Sequence, residues 1–171
     1  MPDSLMNPPD MRRQQGVGMI ESLIALVIIS VGLLGIAALQ LSSMQQSASA
    51  HWHSQAVWIS YEITDRISAN SDSSIPATFR RYAGIDTEQD YDMDCQVNTC
   101  TSDDMVTADA ADWARLVSSL PNGRGVIRSP LGQPDTLVIS VMWDDNSGES
   151  NCTNGEPASD SQSCYTVTLT L

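Results

Sequence analysis

Residues 16–41 read GVGMIESLIALVIISVGLLGIAALQL, and the fold follows from how this stretch is understood. From Leu23 to Leu41 there is no charged side chain, and only Ser30 and Gln40 clearly interrupt the apolar run. As an α-helix, Val17 to Leu41 spans about 37 Å, enough to cross a hydrocarbon core of about 30 Å. No comparable run follows Leu41. The chain thus carries one candidate membrane segment and a polar remainder. The run is too long for the apolar core of an ordinary secretory signal, and no small-x-small cleavage pattern stands at its far end.

Two features separate this stretch from a plain anchor. A short basic segment, Met11-Arg12-Arg13-Gln14-Gln15-Gly16, precedes it, and Glu21 places one carboxylate near the start of an otherwise apolar helix. A carboxylate in hydrocarbon costs several kcal/mol unless it is paired or protonated, so Glu21 needs a partner or a task. A cut after Gly16 would give Val17 a new α-ammonium one helical turn before Glu21. The carboxylate could then pair with its own terminus or with a neighbouring chain's, and the second pairing would hold an axial register between stacked helices.

Basic leader, Gly at the cut, hydrophobic residues and Glu at the fifth mature position resemble the class III prepilin motif of type IV pilins and type II secretion pseudopilins. The resemblance implies that a prepilin peptidase cleaves after Gly16 and methylates Val17, and that Glu21 is the assembly glutamate. Val17 stands where the family usually has Phe. The implied division is a leader at 1–16, a transmembrane and assembly half-helix at 17–41, and an exported headgroup at 42–171 that includes the distal half of the helix. Met1 would give a long leader and Met11 a compact one. Arg12 and Arg13 ahead of the span fit retention on the cytoplasmic side.

Beyond Leu41 the helix is expected to continue. Trp52, Ala56, Ile59, Ile63 and Ile67 form an amphipathic stripe, with Gln55, Glu62 and Arg66 on other sides. One helix over about residues 17–69 would be about 80 Å long, ending near Asn70-Ser71-Asp72-Ser73-Ser74 with Pro76 beyond. Residues 70–104 read as loop. Asp86, Glu88, Asp90, Asp92 and Asp94 alternate there, but Tyr91 stands where a calcium loop of the EF-hand type needs Gly, so a solvated acidic loop is expected. Asp103 or Asp104 would cap a helix reaching Leu120, with Val106, Ala110, Trp113 and Val117 buried. Leu120-Pro121-Asn122-Gly123 supplies a turn. Three strand patterns follow, at Gly125–Arg128, Thr136–Trp143 and Tyr165–Leu171, and a fourth strand is expected around Met93–Val97. The fold class is α+β: a long N-terminal helix packed by its second half on an antiparallel sheet of about four strands.

The chain has 21 acidic residues against 8 basic ones, all of them arginine, and a formal net charge of -13. Removing Asp3, Asp10, Arg12 and Arg13 with the leader leaves that charge unchanged. Such a surface repels nucleic acid, so no nucleic-acid partner is expected. Cys95, Cys100, Cys152 and Cys164 are an even set in an exported domain, which favours disulfides over metal. Four cysteines allow three pairings; the local pairs Cys95–Cys100 and Cys152–Cys164 are expected because each staples a short loop. His51 and His53 are two apart and make a poor metal pair on a helix. No nucleophile elbow, Walker loop, zinc-protease or dinucleotide motif is present, so no catalytic residue, metal or cofactor is expected. Asn151-Cys152-Thr153 matches a glycosylation sequon, a motif too short to carry weight.

Asp112-Trp113, Leu120-Pro121-Asn122-Gly123-Arg124-Gly125-Val126, Ile139-Ser140-Val141-Met142-Trp143 and the Cys95…Cys100 pair resemble minor pilins of the PilV type. That resemblance implies a non-enzymatic subunit of the bacterial inner membrane, with a periplasmic domain, that later enters a pilus. Its implied partners are other minor and major pilins, the prepilin peptidase, inner-membrane lipid and a tip adhesin. A type II secretion pseudopilin shares the N-terminal design and is the alternative. A DNA-uptake pilin is opposed by the charge, and a membrane-tethered enzyme lacks supporting residues. Trp113 and Trp143 are expected in the core.

Overall fold

The computed structural model describes residues 17–71, 76–95, 97, 99–144 and 162–170. The elements are α1 (Val17–Asn70), α2 (Pro76–Arg81), α3 (Ser102–Val117), β1 (Arg124–Arg128), β2 (Thr136–Asp144) and β3 (Gln162–Thr170). The chain divides between Gln45 and Gln46 into two units. In the first, α1 is helical throughout and its side chains from Gly18 to Gln45 are exposed.

The second unit is built on a three-stranded antiparallel meander in the order β1-β2-β3. Alternation along β2 sends Leu137, Ile139, Val141 and Trp143 into the core, each at most 1% exposed. Ile59, Ile63 and Ile67 from the distal part of α1 join them, as do Trp113 and Val117 from α3. The spacing of the three isoleucines puts them on one helical face, which is why that face is buried. His53 on α1 meets Trp143 and Tyr165 edge-on, with ring centroids 6.0 and 5.7 Å away.

Three expectations change. The place beside β1 is taken by Ile85–Thr87, not by residues 93–97. Thr87 N donates to Gly125 O at 2.9 Å, Ile127 N to Ile85 O at 2.9 Å, and Asp86 forms a single bridge with Val126. Among the described residues, 93–97 contain no strand. Within the stretch read as loop lies α2, opened by Pro76 at its first helical position, where a missing N–H costs nothing. Finally, α3 is capped by Thr101. Its hydroxyl accepts from Asp104 N at 3.3 Å while Asp104 Oδ2 accepts from Thr101 N at 2.9 Å, so Asp104 completes the cap rather than being it. The helix stops at Val117, before Leu120.

Candidate assembly site

Val17 begins α1, and Glu21 follows it one turn later. Gly16, the expected cleavage residue, lies outside the described residues. Glu21 is exposed, and among the described residues it has no ion-pair partner. It is also the one charged side chain between Val17 and Ala50. From Met19 to Leu41 every large apolar residue of α1 is exposed, from 54% at Ile36 to 77% at Met19. At about 25 cal/mol per Å² of apolar surface, such a helix gains strongly from any cover that excludes water, whether lipid or other helices.

The polar groups inside this stretch are satisfied locally. Ser22 Oγ donates to Gly18 O at 2.7 Å and Ser30 Oγ to Leu26 O at 2.6 Å, so neither hydroxyl is left bare in an apolar medium. Among the described residues Glu21 has no such local solution. By length and composition α1 can cross a membrane. Gly32 and Gly35 have open space around them: among the described residues a Cβ at either would meet nothing within 4 Å.

In the second unit the acidic excess is ordered around the arginines. Arg66 on α1 donates to Glu62 at 2.8 Å and to Asp112 and Asp109 on α3 at 2.8 and 3.4 Å. Tyr82 Oη donates to Asp109 Oδ2 at 2.6 Å and accepts from Asn70 Nδ2 at 2.9 Å. Arg80 pairs with Asp135 and Arg81 with Asp103. Arg124 reaches Asp86 at 2.6 Å and Glu88 at 3.3 Å. Asp86, first of the alternating acids, is thus a structural partner of Arg124 rather than a free ligand. Among the described residues no three His, Cys, Asp or Glu side chains come together as a metal set. The buried Tyr82–Asp109 contact went unforeseen, because nothing local in the sequence relates two polar residues 27 apart.

Cys95 and Cys100 form a disulfide just before Thr101, stapling the chain where α3 starts. Cys164 is disulfide-bonded, and Cys152, its expected partner, lies outside the described residues. So does the Asn151 sequon. His51 lies against Trp52, and His53 faces Trp143 and Tyr165. Trp113 and Trp143 are buried in the core.

Two family matches cover adjoining stretches. Residues 11–37 match the prokaryotic N-terminal methylation motif. Residues 38–111 match the Tt1218-like family, described as type IV pilin Tt1218. No curated protein and no solved structure matches the chain. The first match contains Gly16, Val17 and Glu21, and the second runs through the distal half of α1, α2 and most of α3. An exposed apolar helix led by the methylation motif, continuing into a pilin-like stretch, supports a type IV pilin, a structural subunit with a place in a pilus or a pseudopilus.

Proposed function

We propose that the chain is a minor pilin of a type IV pilus, entering the filament through α1 and helping to initiate or modify its assembly. The observation that carries this reading is Glu21, an exposed carboxylate with no cation among the described residues, on a helix whose large apolar side chains from Met19 to Leu41 are all uncovered. In this reading a prepilin peptidase removes residues 1–16 and methylates Val17. The subunit rests in the inner membrane with its domain in the periplasm, then leaves lipid for a bundle of sister helices. Glu21 pairs with the terminal ammonium of a neighbouring pilin. In an apolar surrounding that pair is strong only when both charges are present, so it favours one axial register over others. Partners are other minor and major pilins, with a tip adhesin as a distal contact. The methylation motif at 11–37 and the PilV-like order of motifs support this reading. A type II secretion pseudopilin is the alternative, since it shares the same N-terminal design.

Mass spectrometry of the mature protein tests the processing step: the first residue should be Val17, carrying a methyl group. An intact leader on assembled protein would overturn it. Glu21→Ala should leave membrane insertion unchanged and reduce incorporation into filaments. Unchanged incorporation would remove the register role.

A further inference from the structure

The turn after α3 places an asparagine directly before a glycine, at a position whose backbone suits Asn and at one that admits only Gly. Asn122 has φ 46, the one positive φ outside glycine among the described residues, and Asn tolerates that left-handed region better than most residues. Gly123 has no room for a side chain: a Cβ there would lie 2.1 Å from Val117 O. The backbone at 122 and the steric demand at 123 thus leave an Asn-Gly pair whose Asn is exposed and whose Gly is half-buried. In such a pair the glycine nitrogen is unshielded towards the asparagine side chain.

The same turn latches the end of β2. Asn122 Nδ2 donates to Asp144 Oδ2 at 2.6 Å, and Asp144 N donates to Pro121 O at 2.8 Å. Asp144 Oδ1 is buried with no donor among the described residues, which leaves Asn122 as the side-chain donor this carboxylate has there.

We propose that Asn122 is a site of spontaneous deamidation, and that the reaction releases this latch. Gly123 N attacks Cγ of Asn122. The N–Cγ bond forms, the Cγ–Nδ2 bond breaks, and ammonia leaves with the proton lost by Gly123 N. Water then opens the succinimide at either carbonyl, leaving Asp or isoaspartate at position 122. One water is consumed and one ammonia released. Gly123 N also donates to Leu120 O at 3.1 Å, so the reaction proceeds from the opened turn. Once complete, it sets a second carboxylate against Asp144 in a head that is already acidic, and the latch no longer closes. The modification is therefore an irreversible record of opening at the end of β2.

Two measurements on the full chain in detergent test this. Peptide mapping after prolonged incubation at mildly alkaline pH should show the mass gain of an amide-to-acid conversion at Asn122. Asn122→Asp, which mimics the product, should lower the thermal midpoint at neutral pH by about 5 °C. Adding Asp144→Asn to it exchanges amide and acid and should restore the midpoint. A single variant that fails to fold, with the exchanged pair folded, supports the proposal equally. Absence of conversion at Asn122, a wild-type midpoint for Asn122→Asp, or no rescue by the exchange would each overturn it.

Discussion

Gly125 on β1 lies directly against the indole of Trp113: a Cβ built on it would be 2.6 Å from Cη2 and 2.8 Å from Cζ2 of that ring. Trp113 is fully buried, so the ring cannot swing aside without disturbing its core neighbours. β1 and α3 therefore approach as closely as they do because position 125 has no side chain.

Gly125→Ala should overpack this contact. The expected loss is about 2 kcal/mol, since the methyl group must displace an indole held on all sides. Thermal unfolding of the full chain in detergent, followed by the near-ultraviolet tryptophan signal, measures it. An unchanged midpoint would mean the α3–β1 contact relaxes freely.

Tyr82 predicts an alkaline limit. Burial first, and then the hydrogen bond to Asp109, push its phenol above the ordinary value. A group raised on folding contributes stability that is complete below its unfolded value, near about 10, and is lost as pH rises through its folded value. Stability should therefore fall above about pH 10, and Tyr82→Phe should flatten part of that decline. Tyr165 is raised too, through burial and its hydrogen bond with Tyr61, and accounts for a further part. Unfolding midpoints across alkaline pH separate the contributions.

Asp86 predicts the opposite slope. The hydrogen bonds from Arg124 hold its carboxyl below the ordinary range, helped by Glu88 N. A depressed carboxylate contributes above its unfolded value, near about 4, and loses that contribution as pH falls through the folded one. Asp86→Asn should cost about 1 kcal/mol at neutral pH, a modest figure because the pair is partly exposed, and nothing in strong acid. Hydrogen exchange at Thr87 N and Ile127 N should rise in the variant, since these amides hold the 85–87 segment to β1.

The Cys95–Cys100 bridge sits immediately before the Thr101 cap. Cys95→Ser with Cys100→Ser should lower stability by about 2 kcal/mol, the entropy of a short closed loop. Exchange should rise first in the opening turn of α3. Equal protection in both forms would show that the cap holds without the staple.

Much of this molecule is decided within a few residues of chain. α1 was legible because a charge-free run and a stripe of isoleucines are local patterns. Glu21 stood out because a carboxylate in that run is anomalous wherever the chain goes. β2 and the buried stripe of α3 were legible for the same reason, since alternation and helical spacing need no knowledge of a partner. The cap of α3 was misplaced by a few residues because Thr101 and Asp104 share the work.

Other features were settled only when distant segments met. Residues 93–97, where a fourth strand is expected, and 85–87 lie in the same acid-rich stretch, and no local pattern tells which of them pairs with β1. Ile85–Thr87 takes the place beside β1, held there by its backbone hydrogen bonds to Gly125 and Ile127 and by Arg124, itself on β1, pairing with Asp86. Tyr82 and Asp109 are ordinary polar residues until α2 and α3 pack together and exclude water between them. The need for Gly125 and Gly123 is likewise invisible in one dimension, because it is set by where Trp113 and the Val117 carbonyl end up. The helix, its anomalous carboxylate and the three-strand pattern were legible in the chain alone, since short-range periodicity and solvation suffice for those. The tertiary structure decided pairings and close approaches, because their energies depend on atoms that the chain brings together only on folding.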